Sequence, residues 1–449
     1  MINIQSDSRK IKKGDIFVAL KCEVNDGHKY IEKAIENGAS KVVAEYGNYS
    51  VPTLIVDDTR KYITNYLKEN YNKYIDEMTI IGITGTNGKT TSAYLTYQAL
   101  NKLGRKCAYI GTIGFYLDKK VTNLPNTSVD ICDTYNLIMD AYSKGYKTVV
   151  LEVSSHALFN NRLETLKFDY AVFTNLTQDH LDFHKTMENY ALAKQKLFSM
   201  LKENGKAIIN IDDQYKDYFL LDKNNNITYG FNKSDYQIKE FNFAISGTTF
   251  KYSHNNNIID IKTKLIGKFN VYNSMIPIII LDCLGYEDKG VMKELNAPEG
   301  RLDTIHYKEN TIVIDYAHTP DAIQKAINTV KEISNGNIYV VFGCTGDRDR
   351  TKRPIMTKLV SELSKYFIIT NDDPHYEDEQ RIVDDMLKEK TFDNFEVCLD
   401  RKEAIKKGIE LLNKNDVLMI LGKGHEEVMI IKDKKIPFND RKTVEELIK

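Results

Sequence analysis

The sequence of 449 residues lacks the features that mark several special classes of protein. Its six cysteines form no CxxC pair, which argues against a zinc ribbon or a disulfide framework and favours a reducing compartment. Its longest apolar run, Ile276–Leu281, is far too short to cross a bilayer. Its formal net charge of −1 gives no reason to expect nucleic acid or an anionic membrane as a partner.

Two further absences narrow the prediction. The opening stretch, MINIQSDSRKIKKGD, contains no apolar signal region. No period of about 20 to 50 residues recurs along the chain, which argues against a solenoid. The hydrophobic fraction of 42% and the charged fraction of 28% are ordinary for a globular chain with packed cores. We therefore expect a cytoplasmic globular protein of about two to four domains.

Short apolar segments alternate with helical patterns along most of the chain. TIIGIT (79–84) precedes a helical pattern over residues 90–104, and KTVVLEV, YAVFTNL and GKAIINI follow at intervals typical of βαβ units. TIVIDYA, NIYVVFG, KYFIITND and DVLMILG repeat the pattern later in the chain. Apolar strands separated by helices predict an α/β fold with parallel sheets covered on both faces. The Asn-rich stretches DKNNNITYG and YSHNNNIID indicate surface hairpins or loops.

Two boundaries divide the chain into three predicted domains. The charged segment NKYIDEMTI precedes the clearest strand–loop–helix unit, which places one boundary near residue 78. The stretch ELNAPEGRLD carries Pro298 and Gly300 before a new series of strands, which places another boundary near residue 297. The prediction is a small N-terminal α/β domain (1–77), a central nucleotide-binding domain (78–297) and a C-terminal α/β domain (298–449).

The stretch ITGTNGKTT follows a strand and opens a helix, which is the context that a phosphate-binding loop requires. Gly85 and Gly88 let backbone N–H groups turn toward an anion, while Lys89 can reach the β- and γ-phosphates and Thr90 can ligate Mg²⁺. The strict GxxxxGK[ST] pattern fails, because its first glycine falls on Ile83. A glycine-rich turn with a chance lysine is the alternative, but the strand–helix context favours ATP binding.

Carboxylates and histidines at predicted strand ends are candidate metal ligands. Glu152 lies at the carboxyl edge of TVVLEV, where ligands bind in open parallel sheets. FTNLTQDHLDFH ends another strand and offers Asp179, His180, Asp182 and His184. Each of these residues alone is more commonly a cap or a surface residue. Together, beside a phosphate loop, they indicate a cation site of the kind that phosphoryl transfer needs.

Lys194 falls inside an apolar helical stripe. In the predicted helix MENYALAKQKLFSML it shares a face with Tyr190, Leu197 and Leu201, whereas Lys196 lies on the solvated face. One interpretation is that Lys194 snorkels from the edge of the stripe. The other is that burial lowers its pKa and makes the amine nucleophilic, so that it takes up CO₂ and becomes a carboxylate-like metal ligand.

A series of motifs resembles those of the Mur ligases, in family order across nearly the whole chain. They are GTNGKTT, LEVSSHAL, FTNLTQDHLDFH with ALAKQKL, GKFNVYNSM, GRLD, DYAHTPDA, FGCTGDRDRTKRP and LGKGHEE. The resemblance is greatest to the MurE type, the UDP-N-acetylmuramoyl-dipeptide:amino-acid ligases of peptidoglycan synthesis. It implies an N-terminal UDP-binding domain, a central P-loop ATPase domain with a parallel sheet, and a Rossmann-like C-terminal domain that binds the amino acid.

The resemblance implies an ATP-dependent ligase reaction. ATP would phosphorylate the carboxylate of the nucleotide-linked peptide, and the incoming amine would then displace phosphate through a tetrahedral intermediate. Both steps depend on positioning and charge neutralisation more than on covalent help from the protein. The implied cofactors are ATP and Mg²⁺. The implied partners are UDP-N-acetylmuramoyl-dipeptide and an amino acid, with no nucleic acid and no membrane, and we expect a monomer.

The resemblance also assigns the residues around ATP. Thr90 and Glu152 would bind one Mg²⁺, while His180 and carbamylated Lys194 (N6-carboxylysine) would bind a second. Lys89 joins Glu152, His180 and Lys194 as a catalytic residue. Because part of the implied ATP site lies beyond the second boundary, the C-terminal domain would have to close over ATP. The full implied ATP site is Gly85, Thr86, Asn87, Gly88, Lys89, Thr90, Thr91, Asn270, Asn273, Arg301 and Asp315.

The remaining implied contacts concern the two other substrates. An ordinary Asx- or Ser-turn is an equal alternative for Ser8 on local grounds. An ion pair with Asp347 or Asp349 is the alternative for Arg348. The residues implied to bind the UDP-substrate are Ser8, Asn126, Thr127, Ser128, Ser154 and Arg162. Those implied to bind the amino acid are Arg348, Asp372, Asp373, His375, Gly422 and Glu426.

Two stretches depart from the family pattern. The chain starts almost directly at the DSR strand, without an opening segment common in the family, so we expect the details of uracil binding to differ. Members that add meso-diaminopimelate carry Asp-Asn-Pro-Arg, whose arginine pairs bidentately with the distal carboxylate. Here NDDPHYEDEQ places Asp373 and His375 at the asparagine and arginine positions. Histidine lacks that fork, and Asp373 with the downstream acids would favour an ammonium, so we hypothesise L-lysine or a similar diamine.

Other functions remain as alternatives. A MurF-type or a folylpolyglutamate-type ligase would share the phosphate loop, although EVSSHAL, DYAHTPDA and GKGHE favour the MurE type. A non-catalytic ATP-binding partner subunit is the alternative from another class. Such a protein would be expected to lose metal ligands or the carbamylation lysine, and this sequence keeps all of them.

Overall fold

The alternation of strands and helices that the sequence predicts is present in the computed structural model, which describes residues 3–21, 26–221, 225–288, 290–388 and 390–449. The side chain of Asp182 lies outside the described part. The chain divides into two compact units, residues 1–235 and 236–449, and each is described by itself. The α/β class is confirmed. The predicted domain boundaries near residues 78 and 297 do not coincide with this division after residue 235, and they stay predictions.

A small parallel sheet begins the first unit. Its strands lie in the order β1-β2-β3-β4 and all run parallel. Phe17, Ile31 and Val42 belong to a core between this sheet and the first helix, whereas Val18 and Val43 join the larger core of the unit. The bounds are β1 (Ile4–Gln5), β2 (Ile16–Val18), α1 (Ile31–Glu36), β3 (Lys41–Ala44), β4 (Thr53–Ile55) and α2 (Thr59–Ile75).

A larger sheet forms the rest of the first unit, with strand order β12-β11-β10-β5-β9-β6-β7-β8. The strands from β12 to β6 run parallel, while β7 and β8 are antiparallel edge strands. The bounds are β5 (Thr79–Thr84), α3 (Lys89–Lys102), β6 (Cys107–Gly111), β7 (Gly114–Tyr116), β8 (Lys120–Thr122), α4 (Ile131–Ser143), β9 (Thr148–Glu152), α5 (Ser155–Phe159), β10 (Phe168–Phe173), α6 (Leu181–His184), α7 (Met187–Ser199), β11 (Leu201–Asn210) and β12 (Asn226–Gly230).

The parallel arrangement positions the candidate site. Neighbouring strands β10, β5, β9 and β6 present their carboxyl ends at one edge of the sheet. The phosphate loop follows β5, Glu152 ends β9, and the stretch TNLTQDH follows β10. All five residues of β9 are buried, which explains why its sequence is an uninterrupted apolar run up to Glu152.

An antiparallel meander and a long helix begin the second unit. Strand β13 pairs with β14, and β14 pairs with β15, through a turn at Asn255 and Asn256. The bounds are β13 (Tyr236–Ala244), β14 (Gly247–His254), β15 (Asn257–Thr263) and α8 (Lys268–Cys283). The hairpin predicted at YSHNNNIID is confirmed. Of the other Asn-rich stretch, residues 222–224 lie outside the described part, and Asn226–Gly230 is a strand.

A six-stranded sheet with order β16-β17-β21-β18-β19-β20 follows, and only its edge strand β16 is antiparallel. Its core residues alternate between two faces, with Val340 and Met419 on one face and Val341 and Ile420 on the other. The bounds are β16 (Asp303–Tyr307), β17 (Asn310–Asp315), α9 (Pro320–Ile333), β18 (Ile338–Phe342), α10 (Lys352–Leu363), β19 (Tyr366–Ile369), α11 (Glu379–Met386), β20 (Phe395–Val397), α12 (Arg401–Glu410), β21 (Val417–Leu421), β22 (Val428–Ile431), β23 (Lys434–Pro437) and α13 (Asp440–Leu447).

Two predictions about elements need correction. The helix predicted through Leu201 ends at Ser199, because Leu201 pairs with Phe168 and begins β11. The prediction of parallel sheets holds for the apolar strands but needs an addition, since β7, β8, β16 and the β13–β15 meander are antiparallel.

Two observations concern membrane-spanning helices and the pairing of cysteines. Within the described residues, no helix is long and apolar enough to cross a membrane. The five cysteines of the described part are free thiols, and Cys22 lies outside it.

Candidate functional site

The phosphate loop connects β5 to α3, so the predicted strand–loop–helix context is confirmed. Gly88 has φ +84° and precedes the first residue of α3. Gly85 has φ +145°, and a Cβ there would lie 1.9 Å from Thr174 Oγ1, so this position requires glycine. The Lys89 ammonium folds over the loop and donates to the carbonyls of Gly85 (2.9 Å) and Thr86 (2.8 Å). Thr91 is buried in the first turn of α3.

The segment after β10 braces this loop from the side. The Thr86 and Asn87 N–H groups donate to the backbone and side-chain oxygens of Asn175 at 2.8 and 3.0 Å. The Thr174 hydroxyl donates to the Asn87 carbonyl at 2.7 Å. Sequence reasoning missed Thr174 and Asn175, although both stand in TNLTQDH directly after a strand that neighbours β5. Their bonds fix the loop in a cradle shape that can receive phosphate oxygens.

Glu152 is 1% exposed and is surrounded by hydrogen-bond donors. The Thr90 hydroxyl donates to Oε2 at 2.8 Å, and the Thr112 N–H donates to Oε1 at 2.9 Å. The Thr112 hydroxyl donates to Oε2 at 3.1 Å, and the buried Tyr109 hydroxyl donates to Oε1. Burial, and then the neighbouring Glu152 carboxylate, raise the pKa of Tyr109 well above its ordinary value, which keeps this phenol a donor.

Tyr109 and Thr112 are the partners of Glu152 that sequence reasoning missed. The available signal was the strand CAYIG ahead of Thr112, which lies beside β9 in the sheet. The Thr90 hydroxyl and a Glu152 oxygen are hard oxygen donors beside a phosphate loop, and this chemistry suits Mg²⁺. The residues present therefore fit the predicted first cation site.

Lys194 is 1% exposed, so the interpretation that it snorkels to solvent is wrong. Its ammonium donates to the Gly85 carbonyl at 2.8 Å and lies 4.5 Å from the centre of the Tyr190 ring. Burial, and then the positive charge of Lys89, lower the pKa of Lys194 well below its ordinary value. A neutral buried amine is the form that reacts with CO₂, so the arrangement favours the carbamate interpretation.

The histidines after β10 have different surroundings. His180 is exposed and has φ +52°, and its ring lies 4.8 Å from that of His156. His184 is buried and exchanges a 3.0 Å hydrogen bond with the Ser155 hydroxyl, which is a structural contact. Asp179 lies 3.4 Å from His180 Nε2. The exposed His180, unlike His184, is therefore accessible to a cation.

The predicted UDP-substrate residues form a connected group in the first unit. Ser128 donates to the Glu152 carbonyl (2.9 Å) and accepts from the Ser154 N–H (3.0 Å), while Arg162 donates to the Ser128 carbonyl (3.2 Å). Thr127 Oγ1 lies 3.0 Å from Thr112 Oγ1. Both hydrogen bonds of the Ser128 hydroxyl are therefore made with backbone groups, and Ser128 stabilises the conformation of this loop.

The other members of that group lie at its edges. Asn126 is exposed beside Thr127, and the Ser154 hydroxyl caps α5 by accepting from the Ala157 N–H at 3.2 Å. Ser8 is buried at the start of a short 3₁₀ turn, which the Asp7 side chain caps by accepting from the Arg9 N–H. Two residues earlier, the Ser6 hydroxyl donates to Asp130 at 2.9 Å, which ties the N-terminal segment to the loop that carries Thr127.

The predicted amino-acid residues surround a buried lysine that sequence reasoning missed. Lys423, in the stretch LGKGHEE that begins at the end of β21, has no exposed surface. Its ammonium lies 2.8 Å from Asp373 and Glu426 and 3.6 Å from Asp372. Burial alone would lower the pKa of Lys423, but the three carboxylates, Asp372 foremost, raise it overall. Burial also raises the pKa of Asp372 and of Glu426.

The same three carboxylates are the one group of His, Cys, Asp and Glu side chains, among residues that the structure describes, that is spaced to hold a metal ion. The Lys423 ammonium already supplies the positive charge there. Asp373 also accepts from the Ile430 N–H at 2.8 Å. This carboxylate is therefore paired within the protein, although the single Lys423 ammonium faces three carboxylates.

The downstream acids of NDDPHYEDEQ are paired as well. Glu377 accepts from Arg353 at 2.8 and 3.0 Å and lies 2.8 Å from Arg350. Its hydrogen bonds with Arg353 hold the pKa of Glu377 down at about 2. Asp378 caps α11 by accepting from the Arg381 N–H. Of these acids, Glu377 is neutralised by arginines, and the expectation that the stretch makes the pocket more acidic stays a prediction.

His375, Arg348 and Gly422 complete the predicted group. His375 has φ +51°, and its backbone bonds to Ile430 and Lys432 at 3.1 and 2.7 Å. Gly422 has φ +111°, and a Cβ there would lie 2.6 Å from Asp372. Arg348 is exposed.

The ion-pair alternative for Arg348 has no support in the structure. Asp347 accepts from the Tyr376 N–H, and Asp349 accepts from Thr351. Neither carboxylate has an ion pair with Arg348 in the described part of the chain.

The ATP candidates of the second unit are held by local contacts. Asn270 and Asn273 are buried in α8, where Asn270 donates to the Ile266 carbonyl (2.9 Å) and Asn273 to Asn270 (2.8 Å). Burial raises the pKa of Asp315, which accepts from the Leu302 and Ala317 N–H groups. The Arg301 guanidinium lies over the Tyr316 ring at 5.1 Å.

Comparison with family models covers nearly the whole chain. Residues 2–87 match the "Mur ligase family, catalytic domain", residues 83–281 the "Mur ligase middle domain", and residues 300–424 the "Mur ligase, glutamate ligase domain".

Curated relatives match along their whole lengths. The chain is 40% identical to the UDP-N-acetylmuramoyl-L-alanyl-D-glutamate–2,6-diaminopimelate ligase of Clostridium botulinum, over 99% of this chain and 95% of the relative. It is 39% identical to the enzyme of the same name from Aquifex aeolicus, over 99% and 93%.

Solved structures give a corresponding result. A structure of a diaminopimelate ligase with the same name is 32% identical, with a TM-score of 0.72 over 99% of this chain and 94% of that one. A MurF ligase from Thermotoga maritima in complex with ADP shares the fold at 20% identity, with a TM-score of 0.66 over 93% of each chain.

Proposed function

The chain belongs to the Mur ligase family, and we propose that it joins a diamino acid to the glutamate of UDP-N-acetylmuramoyl-L-alanyl-D-glutamate. It is an ATP-dependent acid–amino-acid ligase. The observation that carries the proposal is the pairing of Glu152 with the phosphate loop through Thr90, in a chain whose relatives are named for this substrate. The product would be a UDP-muramoyl-tripeptide of peptidoglycan synthesis.

We assign the triphosphate to the phosphate loop. The N–H groups of residues 88–91 and the Lys89 ammonium would bind the phosphate oxygens, while Gly85, Thr86 and Asn87 shape the loop around them. Lys89 now donates to two carbonyls of the loop, so its charge already lies over the cradle. In the second unit, Asn270, Asn273, Arg301 and Asp315 are the proposed further ATP residues.

Two Mg²⁺ sites complete the proposed centre. Thr90 and Glu152 would hold the first ion, and His180 with carbamylated Lys194 the second; bound Mg²⁺ neutralises charge on the phosphates and the acyl carboxylate. The protein keeps Glu152 fixed by donors on both of its oxygens. It also keeps Lys194 in a buried site, where the lowered pKa of its amine favours the reactive neutral form.

The two other substrates have separate residues. Ser8, Asn126, Thr127, Ser128, Ser154 and Arg162 are proposed to bind the UDP-substrate. The amino acid is proposed to bind at Arg348, Asp372, Asp373, His375, Gly422 and Glu426, and Lys423 would hold three of these carboxylates in place.

The identity of the diamino acid rests on two opposing observations. The relatives are named for 2,6-diaminopimelate. His375 replaces the arginine fork that would grip its distal carboxylate, which favours L-lysine or a similar diamine. Because Asp373 and Glu377 are paired within the protein, His375 is the residue that carries the lysine hypothesis.

A substrate screen tests the proposed function. The purified chain, ATP and Mg²⁺ are combined with UDP-muramoyl-dipeptide and each of meso-diaminopimelate, L-lysine and L-ornithine, and ADP release is followed with mass analysis of the product. We expect ADP release that requires both substrates. Reaction with UDP-muramoyl-tripeptide or a folate instead would indicate another ligase of the family. ATP hydrolysis independent of every acceptor would support a non-catalytic partner subunit.

Three broader predictions accompany this function. We propose domains at 1–77, 78–297 and 298–449, supported by the three family matches at 2–87, 83–281 and 300–424. We propose a cytoplasmic location, supported by the free thiols of the described cysteines. A monomeric state stays a prediction.

A further inference from the structure

Thr112 connects the proposed metal carboxylate to the proposed UDP-substrate loop. It directly follows β6, which lies beside β9 and brings Thr112 next to Glu152. Its N–H donates to Glu152 Oε1 at 2.9 Å, and its hydroxyl donates to Oε2 at 3.1 Å. The same hydroxyl lies 3.0 Å from the Thr127 hydroxyl. The Thr112 side chain thus contacts both the proposed metal carboxylate, Glu152, and the proposed UDP-substrate loop at Thr127. The family resemblance assigns Thr112 no role.

Counting protons fixes the direction of these hydrogen bonds. A threonine hydroxyl has one proton to donate, and an ionised carboxylate only accepts. Glu152 receives donors from Thr90, Tyr109 and Thr112, so the single proton of Thr112 is committed to it. In the 3.0 Å contact Thr112 must therefore accept, and Thr127 must donate. The Thr127 oxygen then presents lone pairs, and no proton, to a ligand in the loop.

We propose that Thr112 is a positioning residue that couples Glu152 to the UDP-substrate loop and makes Thr127 a hydrogen-bond acceptor toward the UDP-muramoyl peptide. The group that Thr127 recognises would be an N–H or O–H donor of that substrate, such as a peptide amide, and not a phosphate or carboxylate oxygen. The inference rests on the proposed function, because it takes the UDP-substrate to bind beside residues 126–128.

Replacing Thr112 by valine removes both hydrogen bonds of its hydroxyl while keeping its shape. The Thr112 N–H bond to Glu152 remains, so the carboxylate keeps its other three donors. Thr127 loses the acceptor that orients its proton. We expect T112V to raise the Kd of UDP-muramoyl-dipeptide about fivefold, the effect of about one hydrogen bond. T112S keeps the hydroxyl and should bind as the wild type does.

Glu152→Gln offers a second route to the same result. The backbone N–H of Thr112 cannot turn away from Oε1, whereas the Thr90 and Thr112 hydroxyls at Oε2 can rotate. The new amide N–H₂ should therefore occupy the Oε2 side and donate to Thr112. Thr112 would then donate to Thr127, so the direction of both hydrogen bonds of the Thr112 hydroxyl is reversed. E152Q should raise the Kd of the UDP-substrate about fivefold, although the changed group does not belong to the proposed UDP-binding residues.

The measurement is calorimetric titration of the full chain with UDP-muramoyl-dipeptide, without ATP or Mg²⁺, so that loss of metal binding cannot affect the result. The variants are T112V, T112S, E152Q, T127V and the double variant T112V/T127V, with T122V as the control. Thr122 is exposed on β8, and its hydroxyl donates to the carbonyl of its neighbour Asn123. Coupling predicts that the double variant binds no more weakly than T127V alone.

Three results separate the outcomes. Wild-type affinity in both T112V and E152Q, or additive losses in the double variant, would overturn the coupling while leaving the proposed function intact. No binding of UDP-muramoyl-dipeptide by the wild type would overturn both. Weaker binding in T112V and E152Q, with rescue in T112S, is the result that the coupling predicts.

Discussion

Glu152 shows how the neighbours of one side chain fix its position. Four donor contacts from three residues, Thr90, Tyr109 and Thr112, reach its two oxygens, and the side chain is 1% exposed. A buried carboxylate normally costs stability unless it is hydrogen-bonded. This one is satisfied by donors, and its Oε2 faces the phosphate-loop Thr90. The arrangement holds carboxylate oxygens where the proposed Mg²⁺ would need them.

Replacing Glu152 by alanine should abolish acyl-phosphate formation while the protein still folds. We expect turnover to fall at least about 100-fold, since a charge that positions the proposed metal and phosphates would be lost. Ser154→Ala should mainly raise the KM for the UDP-substrate, with about 1 kcal/mol lost from its cap on α5. Steady-state ADP release and thermal unfolding distinguish the two variants. Near-normal turnover in Glu152→Ala would contradict the metal assignment.

Lys194→Ala should also lose at least about 100-fold in turnover, because the proposed carbamate would be absent. Formate or acetate should restore part of the activity by placing a carboxylate in the vacated space. Lys196→Ala is the matched control, since Lys196 is exposed on the same helix. Wild-type activity that is unchanged after exhaustive removal of CO₂ and bicarbonate would contradict the carbamate, as would an active Lys194→Ala variant.

Local sequence could identify some of these residues and not others. The phosphate loop, Glu152 and Lys194 each carry a local signal: a strand–helix junction, a carboxylate after an apolar run, and a lysine in an apolar stripe. For Tyr109 and Thr112 the local signal is only the strand CAYIG, because their contact with Glu152 arises from the register of β6 against β9. Lys423 likewise gains its three carboxylate partners only through tertiary contacts.

At the scale of elements, Arg401 joins the ends of strands in the second unit. Its guanidinium pairs with Asp440 at 2.7 and 2.8 Å, and neither side chain is exposed. It also donates to the carbonyls of Asn371, after β19, and of Leu421, at the end of β21. These are the strand ends that carry Asp372 and Gly422, so Arg401 fixes the frame of the proposed amino-acid site.

Arg401→Met should therefore lower the free energy of unfolding by about 3–5 kcal/mol, because it leaves Asp440 buried without its partner. Urea unfolding followed by circular dichroism measures this loss. Lys402→Met is the control on the same helix, since the Lys402–Glu446 pair is exposed. Equal stability of the two variants would contradict the structural role of Arg401.

Glu377 predicts how stability depends on pH. Its hydrogen bonds to Arg353 lower its pKa from 4.5 to about 2. A folded-state pKa below the ordinary value means that the unfolded chain takes up the proton first as the pH falls. The stabilisation is therefore complete above pH 4.5 and is lost as the pH falls toward 2. The difference in urea midpoint between the wild type and Glu377→Gln should shrink over this range, and a constant difference would contradict the assignment.

The elements also differ in how well sequence predicts them. Strands β5, β9, β18 and β21 are buried apolar runs, and their predicted positions agree with the structure to within about two residues. Of the β13–β15 meander the sequence predicts the β14–β15 hairpin but not β13, because these strands have many exposed polar residues and no continuous apolar run. Antiparallel strands with a solvated face do not give the signal by which parallel strands are recognised.

At the scale of the whole molecule, the chain matches its relatives over 99% of its length, and its proposed point of difference is the amino-acid site. His375→Arg should raise turnover with meso-diaminopimelate relative to L-lysine about tenfold, because the arginine fork can pair with the distal carboxylate. The backbone bonds of His375 to Ile430 and Lys432 do not involve its side chain, so the loop should persist. Tyr376→Arg, at the exposed neighbouring position, is the control. An unchanged ratio of the two activities would contradict the role of His375.

The most direct measurement of the central claim is the mass spectrum of the product formed from UDP-N-acetylmuramoyl-L-alanyl-D-glutamate, ATP, Mg²⁺ and an equimolar mixture of meso-diaminopimelate, L-lysine and L-ornithine, with ADP measured in the same sample. We predict a UDP-muramoyl-tripeptide that contains one of these diamino acids, together with an equal amount of ADP. ADP without a new amide product, or no dependence on the UDP-substrate, would contradict the account.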